Sequence, residues 1–193
     1  MSFFNFFNFF KSKKDQNNNF KPNENQEIRT KLYYELTEST SINDVINFID
    51  KNKAKLGFTL NAKATENEIA NFEKNKIHLP DDLKIFYNFS NGLETDEDLF
   101  RIIPLEEITE NGDDGYLINP TSFHIAEYLI YCEMWTIDID LENRNNYRIY
   151  NKSEEIVILT NSFAEFLVRF INGGIYNGLY KWQVEITKDK NTE

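Results

Sequence analysis

The chain has 193 residues, 40% of them hydrophobic and 15% aromatic, including 17 Phe. This suits one globular domain with room for a subdomain, and it excludes a fully disordered, collagen-like or Pro-rich chain. A formal net charge of −11 argues against a general nucleic-acid binder, and a single cysteine, Cys132, excludes an internal disulfide framework or a multi-cysteine zinc site.

The first ten residues, MSFFNFFNFF, hold six Phe and are followed by Lys11, Lys13 and Lys14. They are too short for a spanning helix, and a secretory signal would place its positive charge before the apolar run. As a helix the segment shows a polar stripe of Asn5, Asn8 and Ser12. Three readings stand: docking on the protein's own core or a second subunit, weak contact of residues 3–14 with a membrane surface, or a free tail. Residues 11–26 are polar and Asn-rich and read as a linker. With neither a spanning segment nor an export signal, the cytoplasm is the expected location.

From Ile28 the pattern is helical, with Leu32, Tyr33 and Leu36 on one face. Ser41 and Asp44 are spaced as a capping box ahead of Ile42, Val45, Ile46 and Ile49, and Gly57 ends this helix. GFTL is a short apolar run. Thr65 and Glu68 open a second capped helix with Ile69 and Phe72 inward. Leu79-Pro80 makes a corner, Asp81 and Asp82 open a third helix carrying Leu83, Phe86 and Tyr87, and Asn91-Gly92 stops it.

Beyond Gly92 the periodicity shortens. LFRIIPL reads as a strand to Pro104, LEEIT as a helical turn and NGDDGYLINP as a loop. Residues 128–135 and 136–142 read as strands; in the second, Ile137, Ile139 and Leu141 oppose Asp138, Asp140 and Glu142. Residues 147–150 and 154–159 read as two more. SFAEFLVRFI is a helix capped by Ser162 and Glu165 and ended by Gly173-Gly174. The tail GLYKWQVEI is compatible with a strand that aligns Tyr180, Trp182, Val184 and Ile186. Helices at both ends of a run of strands make an α+β layout.

The charge is concentrated. Residues 1–60 carry nine basic and seven acidic side chains, leaving a net −13 beyond them. The densest run, 94–114, sets Glu94, Asp96, Glu97, Asp98, Glu106, Glu107, Glu110, Asp113 and Asp114 against Arg101 alone. Such a run is either a solvated face or a docking surface for a basic partner, since complementary charge speeds encounter and fixes orientation.

Enzymatic chemistry finds no support: there is no P-loop, dinucleotide fingerprint, nucleophile elbow or HExxH, and no cofactor is implied. Cys132, within an apolar strand, reads as a buried inert thiol, and His78 and His124 as structural. Strand alternation accounts for Asp138-Ile139-Asp140 without a metal, and the glycine loop around Gly115 lacks calcium ligands.

The stretch Thr65, Glu68, Ile69, Glu73, Leu79, Pro80, Leu83, Phe86, Tyr87, Asn91 and Gly92 resembles the opening of the SUKH superfamily, relatives of the yeast regulator of cell-wall assembly. The similarity continues through IIPLEEI, the AEYLIYCEMW strand with Trp135, IDIDL and SFAEFLVRFI, over about residues 60–172. It implies an α+β domain with a central, mainly antiparallel sheet flanked by helices, here with an added helical N-terminal segment. The corresponding organisation is a Phe-rich start and linker over 1–26, a helical extension over 27–60, a SUKH-like domain over 61–186 and a tail over 187–193. It further implies an immunity protein that occupies a toxin domain of nuclease or deaminase type without catalysis. A nuclease presents a basic surface, so the expected contact carboxylates are those of 94–114 together with Asp138, Asp140 and Glu142. No direct nucleic-acid contact is expected. The competing reading is an intracellular scaffold or membrane-associated protein anchored by the Phe-rich start.

Overall fold

Local sequence rules set the first helices of the computed structural model, which describes residues 36–96, 99–110, 117–152 and 155–190. Helix α1 (Ile42–Leu56) starts where the Ser41 hydroxyl accepts the Asp44 backbone N–H at 3.2 Å, and it ends at Gly57, in the left-handed region at φ 64°. Strand β1 (Phe58–Leu60) follows at once. Helix α2 (Glu66–Asn75) carries a reciprocal capping box: the Thr65 hydroxyl accepts the Glu68 N–H at 3.2 Å, and the Glu68 carboxylate accepts the Thr65 N–H at 2.6 Å. That backbone bond, aided by the Thr65 hydroxyl, holds Glu68 below the usual carboxylate range.

Glu73 closes the corner into helix α3 (Asp81–Phe89). It accepts the Leu79 N–H at 3.2 Å and pairs with Lys84 at 3.1 Å and His78 at 3.5 Å. Burial works against the Glu73 charge, but the Lys84 bond and charge outweigh it and keep the carboxyl below its ordinary value. At the far end of α3, Asn91 accepts the Leu105 N–H at 3.0 Å while its amide donates to Glu106 at 2.8 Å. Gly92 sits at φ 103°, and a Cβ there would lie 2.8 Å from the Ile102 carbonyl oxygen, so the turn into the sheet requires glycine.

The sheet continues with β2 (Leu93–Thr95), β3 (Phe100–Ile102), helix α4 (Leu105–Glu110), β4 (Ser122–Tyr128), β5 (Glu133–Ile139), β6 (Tyr147–Lys152) and β7 (Ile156–Thr160). The seven strands lie side by side in chain order, each antiparallel to the next. Helix α5 (Phe163–Gly173) then leads into a π-helical segment, Gly174–Tyr180, and helix α6 (Lys181–Lys190). The fold is α+β, an antiparallel sheet flanked by helices.

One face of the sheet carries the core. Phe123 meets Phe72 of α2 edge-on, Trp135 and Phe100 pack on Phe166, Phe100 stacks on Phe170 at 3.9 Å between ring centres, and the Gln183 amide of α6 donates to Asn151. The aromatic contacts belong to one hydrophobic cluster running from Leu36 to Trp182. A bulge between His124 and Ala126 shifts the β4–β5 register, so that Phe123 and Ala126 both face this core.

Three expected strands take other forms. Residues 128–135 do not form one strand: β4 ends at Tyr128, the chain turns over 129–132, and β5 starts at Glu133. Cys132 therefore lies exposed in a turn and not buried in a strand. β5 also stops at Ile139, which leaves Leu141 79% exposed. The tail from Gly174 is helical, not extended. A Cβ on Gly178 would stand 2.3 Å from the Arg169 carbonyl oxygen, so glycine permits this close winding. Helical spacing then buries Trp182, with the Arg169 guanidinium 4.8 Å from its ring centre, beside Gln183.

The Phe-rich start, the linker, Leu32, Tyr33, Glu97, Asp98, Asp113, Asp114 and Gly115 lie outside the described residues. Among those described, no helix is long and apolar enough to cross a membrane.

Candidate interaction surface

The turn joining β4 to β5 places three consecutive non-glycine residues in the left-handed region: Leu129 at φ 53°, Ile130 at 54° and Tyr131 at 63°. Leu99, just before β3, does the same at φ 48°, and its carbonyl accepts the Leu129 N–H at 3.2 Å. Each such residue costs about 1–2 kcal/mol against its right-handed alternative, and the β-branched Ile130 is the least suited. All four side chains face solvent, with Ile130 74% and Leu99 55% exposed.

Arg101 anchors this turn from the sheet face opposite α5. Its Nε donates to Glu127, its two Nη atoms donate to the Glu107 carboxylate at 2.8 and 2.6 Å, and Nη2 donates to the Tyr131 hydroxyl at 3.3 Å. The other Glu127 oxygen accepts the Tyr131 N–H at 3.1 Å. The cross-strand register explains the assembly: Thr59, Glu94, Arg101, Glu127 and Met134 form one row across β1 to β5. The Glu107 and Glu127 carboxylates raise the Arg101 pKa still further, against the opposing effect of burial, so its charge is permanent.

On the helix side, the π-helical segment brings the Tyr176 hydroxyl to 3.2 Å from that of Tyr128, with the Tyr180 ring behind both. Glu133, the first residue of β5, accepts the Asn151 amide, and burial raises its pKa despite hydrogen bonds from Asn151 and Tyr180.

The sequence-predicted carboxylates divide into three groups. Glu94 and Asp96 are exposed at the end of the sheet where the tip lies; the Asp96 N–H donates to the Gly57 carbonyl at 3.0 Å. Glu106 and Glu107 are engaged internally by Asn91 and Arg101. The remaining group is at the opposite end. Asp138 is buried, accepts the Thr121 and Ser122 hydroxyls at 3.0 Å and pairs with Arg148 at 2.9 Å. Asp140 accepts the Glu142 N–H at 2.8 Å and the Asn146 amide at 3.0 Å, which hold it below its ordinary value, while the Glu142 side chain is exposed. Ser122 pairs with Asp138 and Tyr128 with Glu133, so six residues, roughly 20 Å of strand, separate the ends. The structure thus brings Glu94 and Asp96 together and does not place Asp138, Asp140 and Glu142 beside them.

Glu68, Glu73, Leu79, Pro80, Asn91, Gly92 and Trp135 build the frame: caps, corner, turn and core. His124 lies in the sheet with Nδ1 2.7 Å from the Thr136 hydroxyl, and His78 is exposed beside Glu73. Among the described residues, no three His, Cys, Asp or Glu side chains are grouped to hold a metal ion. The tip itself escaped sequence reading, because a turn without Gly, Asn or Pro looks like continuous strand.

The SMI1/KNR4 family model (SUKH-1) matches residues 63–169, from just before α2 into α5. Comparison with curated proteins gives no match. The match spans more than half the chain and covers the capped α2–α3 corner, the Asn91-Gly92 turn and the antiparallel strands, and the chain therefore belongs to the SMI1/KNR4 family (SUKH-1).

Proposed function

We propose that this protein is an immunity protein that binds a toxin domain of the nuclease or deaminase class and neutralises it by occupying it, with no catalytic step of its own. The family supports an immunity-type role. The observation that carries the reading further is the end of the sheet where exposed Glu94 and Asp96 flank an exposed apolar turn. A nuclease must present cations to hold phosphate backbones, and exposed carboxylates at the edge of a contact steer and orient such a surface. Arg101 does not offset them, because Glu107 and Glu127 already neutralise it.

The test is co-expression in a bacterial host with the protein encoded in the adjacent reading frame, which this reading expects to carry the toxin domain. Restored growth together with co-purification of a stable complex supports the reading. Undiminished toxicity and no complex, with both proteins soluble, overturn it.

A further inference from the structure

The 129–132 turn closes the β4–β5 hairpin with left-handed backbone, but the residues that fill it are ones poorly suited to that conformation. Ile130 is 74% exposed yet adopts φ 54°, a region that glycine or asparagine occupies at far less cost. Burial gives nothing back, and Leu129, Tyr131 and Leu99 repeat the combination of left-handed backbone and exposed side chain. Strain of this kind persists only where the surroundings enforce it. Here Glu127 holds the Tyr131 N–H, Arg101 holds the Tyr131 hydroxyl and the Leu99 carbonyl holds the Leu129 N–H. The result is a rigid apolar projection, which saves ordering entropy when it docks.

The chemistry around the projection selects its partner. Glu94 of β2 and Asp96 just beyond it are exposed, and so is Glu155, which precedes β7 at this same end. Of the described cations at this end, Arg101 is saturated by two carboxylates and Lys53 in the last turn of α1 pairs with Asp50. Lys55 in that turn and Lys152 at the end of β6 do not outweigh Glu94, Asp96, Glu155, Glu133, Glu107 and Glu127. A second copy of this chain would bring like charges together, so self-association is disfavoured.

We propose that the β4–β5 tip inserts, Ile130 foremost, into an apolar pocket on the partner protein that is bordered by Lys and Arg, with Glu94 and Asp96 closing on that basic border. This rests on the immunity reading and assigns it a contact: the tip supplies the buried anchor, and the carboxylates supply rate and orientation. The far-end carboxylates Asp140 and Glu142 lie outside the contact.

The experiment is isothermal titration of the full chain against a catalytically inactivated toxin domain from the adjacent reading frame, at low and moderate salt. Ile130→Ser is expected to weaken binding about 30-fold or more, with the salt dependence retained. Glu94→Lys with Asp96→Lys is expected to weaken it and flatten the salt dependence. Leu141→Ser, which alters an equally exposed leucine at the opposite end, is expected to bind as the wild type does. Ile130→Asn, which suits the left-handed turn, guards against a folding defect and is expected to lose binding while melting no lower than the wild type. Wild-type affinity in both Ile130 variants overturns the tip contact while leaving the immunity reading standing.

A partner-independent arm separates the two claims. A cationic amphipathic peptide of leucine and lysine, titrated into the labelled chain, is expected to shift the amide resonances of Leu99 and residues 128–132. If the toxin domain fails to bind, the immunity reading falls, and shifts at the tip still support its chemistry. Shifts spread over the surface, or absent from the tip, overturn the proposal. A wild-type dimer that Ile130→Ser dissociates also overturns it, because the tip then belongs to self-association.

Discussion

Removing the cation beneath the tip has a cost that the geometry sets. In Arg101→Met the Glu127 side chain, only 4% exposed, loses its charged partner among the described residues, while the Tyr131 N–H still donates to it. Breaking a buried ion pair from one side costs about 3–5 kcal/mol, because the remaining charge stays desolvated. Glu107, 34% exposed, is screened by water and adds little. The surviving Tyr131 bond places the expected loss near the lower limit, about 3 kcal/mol, or roughly 6–12 °C in melting temperature for a domain of this size. The double variant Arg101→Met/Glu127→Gln keeps an acceptor for Tyr131 and removes the stranded charge. It is expected to return to within about 1 kcal/mol of the wild type. Urea unfolding of the four proteins in the cycle supplies the comparison, and amide exchange at Tyr131 reports whether the tip loosens with the single change. A loss below about 1 kcal/mol in the single variant, or a double variant no better than the single, refutes the claim that this pair anchors the turn.

Two further outcomes follow from the helix side of the sheet. Gly178→Ala places a Cβ 2.3 Å from the Arg169 carbonyl oxygen, so the π-helical winding must open, and unfolding by urea should show a loss of about 1–3 kcal/mol. Glu133 has its pKa raised by burial, so its native state holds a proton that the unfolded chain releases. Its contribution is then fully present below the unfolded value and is lost as pH rises through the raised one. Glu133→Gln, free of that dependence, should gain on the wild type between pH 4 and pH 7; denaturant midpoints that move in parallel across this range contradict the assignment.

The helices from residue 41 to 91 are legible in the sequence because each is marked by its own end chemistry. Ser41, Thr65 and Ser162 cap as their spacing foretells, and Gly57 and Gly92 adopt the positive φ that their positions demand. β6 and β7 follow closely from the alternation of residues 147–150 and 154–159, whereas β4, Ser122–Tyr128, is not marked in the sequence as a strand of its own. The β4–β5 turn is not legible, since Leu-Ile-Tyr-Cys offers none of the residues that normally announce left-handed backbone. Its conformation is imposed from a distance by Glu127, Arg101 and Leu99. The tail misleads for the opposite reason: Tyr180, Trp182, Val184 and Ile186 alternate, but Gly173 and Gly178 allow a close winding that tertiary packing of Trp182 then selects. The acidic residues are visible as composition, whereas the separation of Glu94 and Asp96 from Asp138, Asp140 and Glu142 depends on strand register, and which carboxylates remain exposed depends on the bonds of Arg101, Arg148 and Asn91.

The most direct test of toxin neutralisation by binding is a titration of activity. The purified toxin domain from the adjacent reading frame, held at fixed concentration on its nucleic-acid or nucleobase substrate, is mixed with increasing amounts of the full chain. Neutralisation by occupancy predicts activity that falls linearly to zero at one equivalent, without loss of the inhibitor or modification of the toxin. Full toxin activity at a large excess of the folded chain would contradict it.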